Sequence, residues 1–325
     1  MQRFKNILVV VDLTQSSSLA LLRAVELAQN NQASLTVVGV VPKMTAGIGM
    51  PEGGPISADL QKYANAAAKK TLEAAIRPFA SQIDIQATVL VGAPFLEIIK
   101  EVLRNGHDLV IKIPENIAWL DRIFGSDDMH LLRKCPCPVW LVKQSTSKTY
   151  RRILAAIDVD MDHPPDEVAK RHQLNIQILE MAVSLALSNF AELHVVHAWQ
   201  EIGESTVSNP FIDYSEVKAY EYSENIHSLH SHEFDKLITE VMNRKNAELD
   251  EFLNLQKHLI KGLPEKEIPV LVNELGVDLV VMGTVARTGI PGFFIGNTAE
   301  TILSQIQCSV LAIKPVDFVT PVTLN

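Results

Sequence analysis

The feature that most constrains this sequence is an internal duplication. The segment HDLVIK, which contains Asp108, returns in the second half as VDLVVM, which contains Asp278. Three further matches keep the same order in both halves: Asp12 with Asp158, the pair Gly92 and Pro94 with Gly262 and Pro264, and Lys143 with Lys314. A period of about 150 residues is the size of one ordinary domain and far longer than a solenoid or propeller repeat. The chain is therefore predicted to consist of two tandem copies of one domain.

The apolar segments of each half indicate strands that are buried on both faces. Runs of Val, Ile and Leu do not alternate with polar residues, and longer helical patterns separate them, as is typical of a parallel sheet covered by helices. The strands of the first half are predicted at 7–11, 34–41, 84–91, 109–113 and 139–143, and its helices at 17–30, 58–81, 95–105 and 127–134. The second half repeats this order from 153 to 314. The predicted fold class is α/β, with two tandem doubly wound, flavodoxin-sized parallel-sheet domains.

A polar segment marks the boundary between the halves. Residues 144–150 are rich in Ser, Thr and Lys, which suits a linker. Domain 1 is therefore predicted to span 1–147 and domain 2 to span 148–325. In the second half, residues 200–233 are rich in Ser, Glu, His and Tyr and are predicted to form a partly ordered excursion over one face of the sheet.

Composition and charge exclude several classes of function. The 325 residues are 47% hydrophobic and 21% charged, as expected of a chain with two ordinary cores. The net charge of −9 disfavours a nucleic-acid surface, because phosphate backbones are bound by clustered Lys and Arg. Since the longest apolar runs have strand length and no leader follows Met1, we expect a cytoplasmic protein without a membrane span.

The cysteines, and the lysines that end the last strand of each half, are predicted to have structural roles only. The three cysteines give an odd count with no zinc or redox spacing, so Cys137 and Cys308 are predicted to be small core residues before the last strand of each half. Lys143 and Lys314, which end those strands, are predicted to be edge charges that discourage stray strand pairing.

A glycine-rich segment of the second half, GTVARTGIPGFFIGNTAETIL, could carry a ligand site. It begins at Gly283 after the fourth predicted strand, and Gly296 opens the next helix. Asn297 and Glu300 have the spacing of a capping pair, which would point the unpaired amides of the helix at the loop. The segment therefore suits a phosphate site. The alternative, a glycine-bearing turn that only closes tightly, stays open, and neither a Walker A nor a dinucleotide fingerprint is present.

With these motifs the sequence resembles the universal stress proteins, and most of all their tandem type E members. Nucleotide-binding members carry G-2x-G-9x-G-(S/T) after the fourth strand, and Gly283, Ala286, Gly296 and Asn297 occupy that spacing here. The strings LLRKCP, VWLVK, GTVARTGIP and GNTAE extend the resemblance over both halves.

The resemblance implies an adenine nucleotide, ATP or ADP, in the second half, with the option of Mg²⁺ beside its phosphates. It places Asp158 against the adenosine and Ala198 and Met282 beside the base. Ribose and phosphates would be held by Gly283, Gly296, Asn297 and Thr298. It also implies that the last strands of the two halves, near 139–142 and 310–313, pair about a pseudo-two-fold axis as an intramolecular pseudo-dimer. A further homo-oligomer stays open.

Departures from the family pattern predict that binding is weak in one half and absent in the other. Ala286 stands where the pattern has glycine and Asn297 where it has Ser or Thr. In the first half the pocket is degenerate: Asp12, Gly125 and Ser126 stay in register, but the glycine-rich part is replaced. Asp127 and Asp128 would themselves complement the helix dipole there and repel a triphosphate.

Two polar clusters have alternative interpretations. Carboxylates crowd the first loop of the second half and could hold Mg²⁺ or be solvated; they are Asp158, Asp160, Asp162 and Asp166, together with His163. His227, His230 and His232 could bind zinc on a turn, although exposed histidines are the favoured interpretation.

Two functions of different class follow. The first is a cytoplasmic stress-response sensor or regulator that binds ATP or ADP weakly. The second is an adaptor, or a binder of a non-nucleotide small molecule, with degenerate sites. No catalytic set can be assembled from the sequence, so an enzyme is not expected, and a slow ATPase is the weaker third option.

Overall fold

A computed structural model of the chain describes residues 4–14, 18–44, 55–115, 126–143, 149–160, 164–200, 216–244, 253–284 and 296–324. Several predicted features lie outside these ranges: Ala286 with the rest of the glycine loop, Gly125, Asp162, His163 and the linker at 144–148.

Strands and helices alternate as predicted in the described part of each repeat. The first repeat contains β1 (Asn6–Val10), α1 (Ser18–Asn31), β2 (Ser34–Val41), α2 (Pro55–Ile76), β3 (Ile85–Val91), α3 (Pro94–Asn105), β4 (Leu109–Lys112), α4 (Ser126–Lys134) and β5 (Val139–Leu141). The second contains β6 (Arg152–Ala156), α5 (Pro165–Asn189), β7 (Glu192–Trp199), α6 (Glu216–Asn243), β8 (Leu255–Lys261), α7 (Pro264–Leu275), β9 (Leu279–Gly283), α8 (Asn297–Gln305) and β10 (Ser309–Ile313).

The first of two compact units is built on the first repeat. Its strands lie in the order β3-β2-β1-β4-β5, and every neighbouring pair among them is parallel. The last strand of the chain, β10, belongs to this unit and pairs antiparallel with β5, with Val310 opposite Leu141 and Ala312 opposite Val139. The predicted pairing of the last strands of the two halves is thus confirmed.

The second unit contains β6 to β9 and their helices. Its strands lie in the order β9-β6-β7-β8, and all three neighbouring pairs are parallel. The order β8-β7-β6-β9 repeats the order β3-β2-β1-β4 of the first unit. The duplication of sequence is therefore a duplication of strand topology, and the predicted α/β parallel-sheet fold class is confirmed.

Glycines explain why some of the repeated motifs recur. Gly106 ends α3 at φ +64° and Gly276 ends α7 at φ +59°, a left-handed conformation that costs other residues about 1–2 kcal/mol. Gly92 and Gly262, at φ +145° and +146°, lead into the same two helices. In each case a glutamate of the following helix lies where a Cβ would be.

The aspartates that first revealed the duplication serve the fold. The Asp108 carboxylate accepts the backbone N–H groups of the two residues that lead into β1, at 2.5 and 3.0 Å. The Asp278 carboxylate accepts the corresponding N–H groups ahead of β6, at 2.7 and 3.0 Å. By engaging two consecutive backbone donors, this motif fixes the start of the central strand in each unit.

The predicted excursion at 200–233 overlaps a helix, because α6 begins at Glu216 and continues past residue 233. Residues 201–215 lie outside the described ranges. α6 spans 28 residues, and Phe234, Leu237 and Val241 are buried at helical spacing. This apolar face packs α6 against α5 and β7. None of the helices in the described part of the chain is long and apolar enough to cross a membrane.

Candidate functional site

The candidate site lies at the edge formed by the carboxyl ends of the strands in the second unit, where β6 and β9 are neighbours. From β6 the chain proceeds through β7 to β8 on one side, and β9 is added on the other. Ligands of open α/β sheets bind at such a reversal of strand order, beyond the carboxyl ends of the strands. Several predicted site residues lie at the ends of the elements here: Asp158 after β6, Ala198 in β7, Met282 and Gly283 in β9, and Gly296, Asn297 and Thr298 at the start of α8.

Hydrogen bonds between its backbone and the Asn175 side chain hold Asp158 in a defined position. Asn175 of α5 donates from Nδ2 to the Asp158 carbonyl oxygen at 2.6 Å and accepts the Asp158 N–H at 3.2 Å. The carboxylate accepts the N–H of Asp160 at 3.1 Å and forms an ion pair with Arg171. The Asp158 carboxylate, which is predicted to accept hydrogen bonds from a ligand, is thus already contacted by the Arg171 guanidinium.

The start of α8 differs from the prediction in its capping. Gly296 is the N-cap residue and makes no side-chain cap; Asn297 is the first helical residue and is exposed. The predicted capping pair of Asn297 and Glu300 is therefore wrong. Instead the Glu300 N–H donates to the Gly296 carbonyl at 2.9 Å. The first-turn amides and the exposed Thr298 still lie at the positive end of the helix dipole.

Gly283 has a packing role that the sequence did not reveal. A Cβ at this position would lie 2.8 Å from Cδ2 of Leu174 in α5, so the helix can approach β9 only because no side chain is present there. Met282 is buried and Ala198 is half-buried. A glycine at this position is therefore explained by the close packing of α5 against β9, whether or not a ligand binds here.

In the first unit, a pair of charged side chains occupies the matching place between the end of β4 and the start of α4. Lys112 ends β4, and its Nζ lies 2.5 Å from Oδ1 of Asp128 in the first turn of α4. Oδ2 of Asp128 accepts the Glu115 N–H at 2.7 Å, and Asp128 is fully buried. The expected repulsion of a triphosphate by Asp128 is therefore wrong, because Lys112 balances the Asp128 charge inside the protein. That the first half binds no nucleotide stays a prediction.

Asp12 preserves the local geometry of Asp158. Its Oδ1 accepts the N–H of Thr14 at 2.8 Å, just as Asp158 accepts the N–H two residues further on. Ser126 is the first residue of α4, as Asn297 is of α8. The register predicted between the two halves thus holds both after the first strand of each unit and at the start of α4 and α8.

A histidine cluster beside Asp158 was missed by the sequence analysis. His197 of β7 is buried, and its Nε2 lies 3.0 Å from Nδ1 of His230 in α6. The Trp199 ring lies 5.7 Å from the His230 ring and 5.6 Å from the His227 ring. The interpretation of all three α6 histidines as simply exposed is wrong for His230, although His227 and His232 are exposed.

The electrostatics of this cluster favour neutral imidazoles. Burial lowers the pKa of His197, an effect that the Asp158 carboxylate opposes. Burial also lowers the pKa of His230, opposed by Asp160 and Asp158. The apolar run HVVHAW indicates that His197 is inside the sheet, but its partner in α6 is set by how that helix packs.

Metal binding by protein side chains receives no support from the described residues. They contain no group of three or more His, Cys, Asp or Glu side chains that could hold an ion. In particular Asp160 and Asp166 do not join Asp158 in such a group, while Asp162 and His163 lie outside the described ranges.

Comparison with known proteins agrees with this architecture. A model of the universal stress protein family matches residues 3–143 and again residues 149–314. The chain is 34% identical to universal stress protein E of Escherichia coli K12 over 336 aligned residues, which cover 100% of this chain and 98% of the relative. It is 31% identical to a universal stress protein E homolog of Haemophilus influenzae, covering 96% and 98%.

Solved structures share this fold. A protein of unknown function from Pseudomonas aeruginosa PAO1 is similar with a TM-score of 0.69 and 26% identity, over 97% of this chain and 94% of that one. A universal stress protein from Archaeoglobus fulgidus shares the fold with a TM-score of 0.60 and 17% identity, over 95% and 98%. With one match to the family model in each repeat and full-length relatives of the same organisation, this chain belongs to the universal stress protein family.

Proposed function

We propose that the second unit binds an adenine nucleotide, ATP or ADP, weakly, and that the protein acts in the cytoplasm as a sensor or regulator of the stress response. The observation that carries the proposal is the edge between β6 and β9, where Asp158 and the first turn of α8 follow neighbouring elements at a reversal of strand order. This location and this pairing of an acceptor with helix amides suit a nucleoside phosphate.

Each residue of this edge would have a distinct part in binding. Asp158 would accept hydrogen bonds from ribose hydroxyls, and Ala198 and Met282 would contact the base. The first-turn amides of α8, with the backbone of Gly283 and Gly296 and the side chains of Asn297 and Thr298, would receive the phosphates. Ala286 would hold the affinity down. Any Mg²⁺ would arrive bound to the phosphates, because the described residues supply no ligand cluster of their own.

Calorimetric titration with MgATP and MgADP tests the proposal. We expect at most one nucleotide per chain, and a loss of affinity of roughly tenfold or more in Gly296→Val, because a branched side chain would stand where the phosphates approach the helix. Gly125→Val, at the matching position of the first half, is the control and should leave binding unchanged. Two equivalent sites, or binding lost only in Gly125→Val, would contradict the assignment.

A second candidate is an adaptor or a binder of a non-nucleotide small molecule. Two contacts favour it: Arg171 is already paired with Asp158, and Leu174 fills the space beside Gly283. Arg171→Met separates the candidates. If the guanidinium competes with nucleotide, the substitution should tighten binding; if no nucleotide binds to either protein, the adaptor function is favoured. Mass spectrometry of small molecules released from the purified protein would then identify the occupant.

A further inference from the structure

The turn between α4 and β5 brings two thiols together. α4 ends at Lys134 and β5 begins at Val139, so the segment Cys135-Pro136-Cys137 forms the connection. The two Sγ atoms lie 3.6 Å apart. Cys135 is fully buried and Cys137 is 7% exposed.

We propose that Cys135 and Cys137 form a redox-sensitive modification site, which a hydroperoxide oxidises to an intramolecular disulfide and a thiol reductant restores. The prediction that Cys137 is a buried core residue is confirmed, but the conclusion that the spacing excludes redox chemistry is revised. Only the side-chain directions, which the fold sets, reveal that the sulfurs face each other.

A buried lysine completes the site. Lys314, which the sequence predicted to be an edge charge, is only 4% exposed. Its Nζ donates to the carbonyl oxygen of Leu132 in α4 and lies 4.8 Å from the centre of the Phe318 ring. Burial lowers the pKa of Lys314 to about 7, while Cys135 and Cys137 act to raise it. A cation near the thiols is the environment that activates cysteine.

The surroundings of the two thiols shift their pKa values in opposite directions. Burial opposes ionisation of Cys135 most strongly, but hydrogen bonds from the Cys137 side chain and backbone, together with Lys314, lower the pKa of Cys135. The hydrogen bond to Cys135 is also the main reason that the pKa of Cys137 is raised. In the proposed reaction Cys135 is therefore the attacking thiolate, and Cys137 is the thiol that closes the disulfide.

The chemistry balances with one equivalent of hydroperoxide. The Cys135 thiolate attacks a peroxide oxygen and breaks the O–O bond, which gives Cys135 sulfenic acid and, for H₂O₂, a hydroxide that takes up a proton. Cys137 sulfur then attacks the sulfenic sulfur, displaces the second hydroxide as water and closes the disulfide. Two thiols lose two electrons, and H₂O₂ becomes two water molecules. The resulting ring spans a single intervening residue, so strain should keep the bond easy to reduce.

The second half supplies the internal control. Cys308 corresponds to Cys137 in the duplicated motif, but the residue two positions earlier is Ile306 where the first half has Cys135. Cys308 is also buried. Burial and strand position are thus shared, and only the first half has the second sulfur that a disulfide requires.

Peptide mass spectrometry of the full chain after treatment with H₂O₂ and alkylation of the remaining thiols tests the proposal. We expect the Cys135–Cys137 peptide to lose two hydrogens, to resist alkylation, and to recover with dithiothreitol, while Cys308 stays alkylatable after unfolding. The same result is expected in Cys308→Ser. Neither Cys135→Ser nor Cys137→Ser should form the bond, and the thiol left in Cys135→Ser should react more slowly than the thiol left in Cys137→Ser, because Lys314 acts on Cys135.

Three results would overturn the proposal. The first is oxygen addition to both cysteines without a disulfide, and the second is a disulfide that involves Cys308. The third is no oxidation of the folded protein at peroxide concentrations that oxidise the unfolded chain. The wild-type experiment does not depend on the variants folding, and circular dichroism of each serine variant establishes which rates can be compared.

Discussion

The two units carry the same strand-to-helix junction with different side chains. In the first unit Lys112 at the end of β4 is bound to the buried Asp128 of α4. In the second unit the matching positions hold Met282 and Ala299, so these positions bring no charge into the junction. The comparison teaches that strand order and caps survive duplication because the whole fold depends on them. The residues at the sheet edge can diverge, because only a ligand or a local partner depends on them.

The largest expected effect comes from the ion pair of the first unit. Lys112→Met or Asp128→Ala alone should lower the free energy of unfolding by about 3–5 kcal/mol, because each leaves an uncompensated buried charge. The double variant Lys112→Met/Asp128→Ala carries the residue types of the second unit and should recover most of that loss. Urea unfolding, with hydrogen exchange to locate the change, measures both.

An exposed ion pair gives the control for this cycle. Arg244 and Glu240 of the second unit lie 2.6 Å apart and are partly exposed, so Arg244→Met should cost only about 0.5 kcal/mol or less. If the double variant of Lys112 and Asp128 is as unstable as the sum of the two singles, the junction is not held by their pairing.

The next effect is a loss of stability in mild acid, larger in the second unit. Burial is the leading cause that lowers the pKa of six histidines: His107 and His130 in the first unit, and His194, His197, His230 and His258 in the second. The unfolded chain therefore binds more protons. The contribution of these histidines should be complete above the unfolded value of 6.5 and should fall as the pH drops below it. Lys314, whose pKa burial lowers to about 7, adds a dependence of the same sign at higher pH.

Unfolding measured from about pH 8 to about pH 5.5 checks this, since each extra proton taken up contributes up to about 1.4 kcal/mol per pH unit. His197→Gln should flatten the dependence of the second unit, and a matched His107→Gln should act on the first. Stability that rises on acidification would contradict the burial of neutral imidazoles.

The helix-ending glycines should respond alike in the two units. Gly106→Ala and Gly276→Ala should each lower the free energy of unfolding by about 1–2 kcal/mol, because alanine is strained at positive φ. Steric clash does not contribute to this loss, because a Cβ at Gly106 meets nothing within 4 Å and one at Gly276 meets an Arg152 nitrogen at 3.5 Å. Thermal unfolding of both variants provides the test. Unequal losses would mean that the equivalence of these caps is only apparent.

The smallest expected effect concerns the glycine loop. Ala286→Gly should tighten nucleotide binding roughly tenfold, or about 1.4 kcal/mol, if the loop must pass close to the phosphates or turn through a positive φ. Asn297→Ser should add less. Titrations of wild type and variants under the same Mg²⁺ and salt compare them directly, and an unchanged affinity would show that the loop already accepts alanine.

Local patterns accounted for most of the fold. Apolar runs located every strand to within two residues in the first repeat, since burial on both faces leaves a continuous apolar signature. Helix α6, the counterpart of α2, was underestimated because its polar first half obscured the apolar spacing that starts at Phe234. In the candidate site the register of Asp158 with Asp12 followed from the sequence. The cap at Gly296 did not, because side-chain capping depends on the local backbone angles.

The sequence by itself determined the duplication, the α/β class and the positions of the strands, because these follow from periodicity and from repeated motifs, and the family resemblance implied the pairing of the two last strands. Tertiary structure decided which distant side chains meet. Lys112 meets Asp128, His197 meets His230, and Arg171 meets Asp158 across gaps that no local pattern encodes. Even Cys135 and Cys137, two residues apart, became a pair only through the turn that orients their side chains. The physical reason is that charge pairing, burial and sulfur contact act through space over a few ångströms, whereas sequence periodicity records only which face of an element is buried.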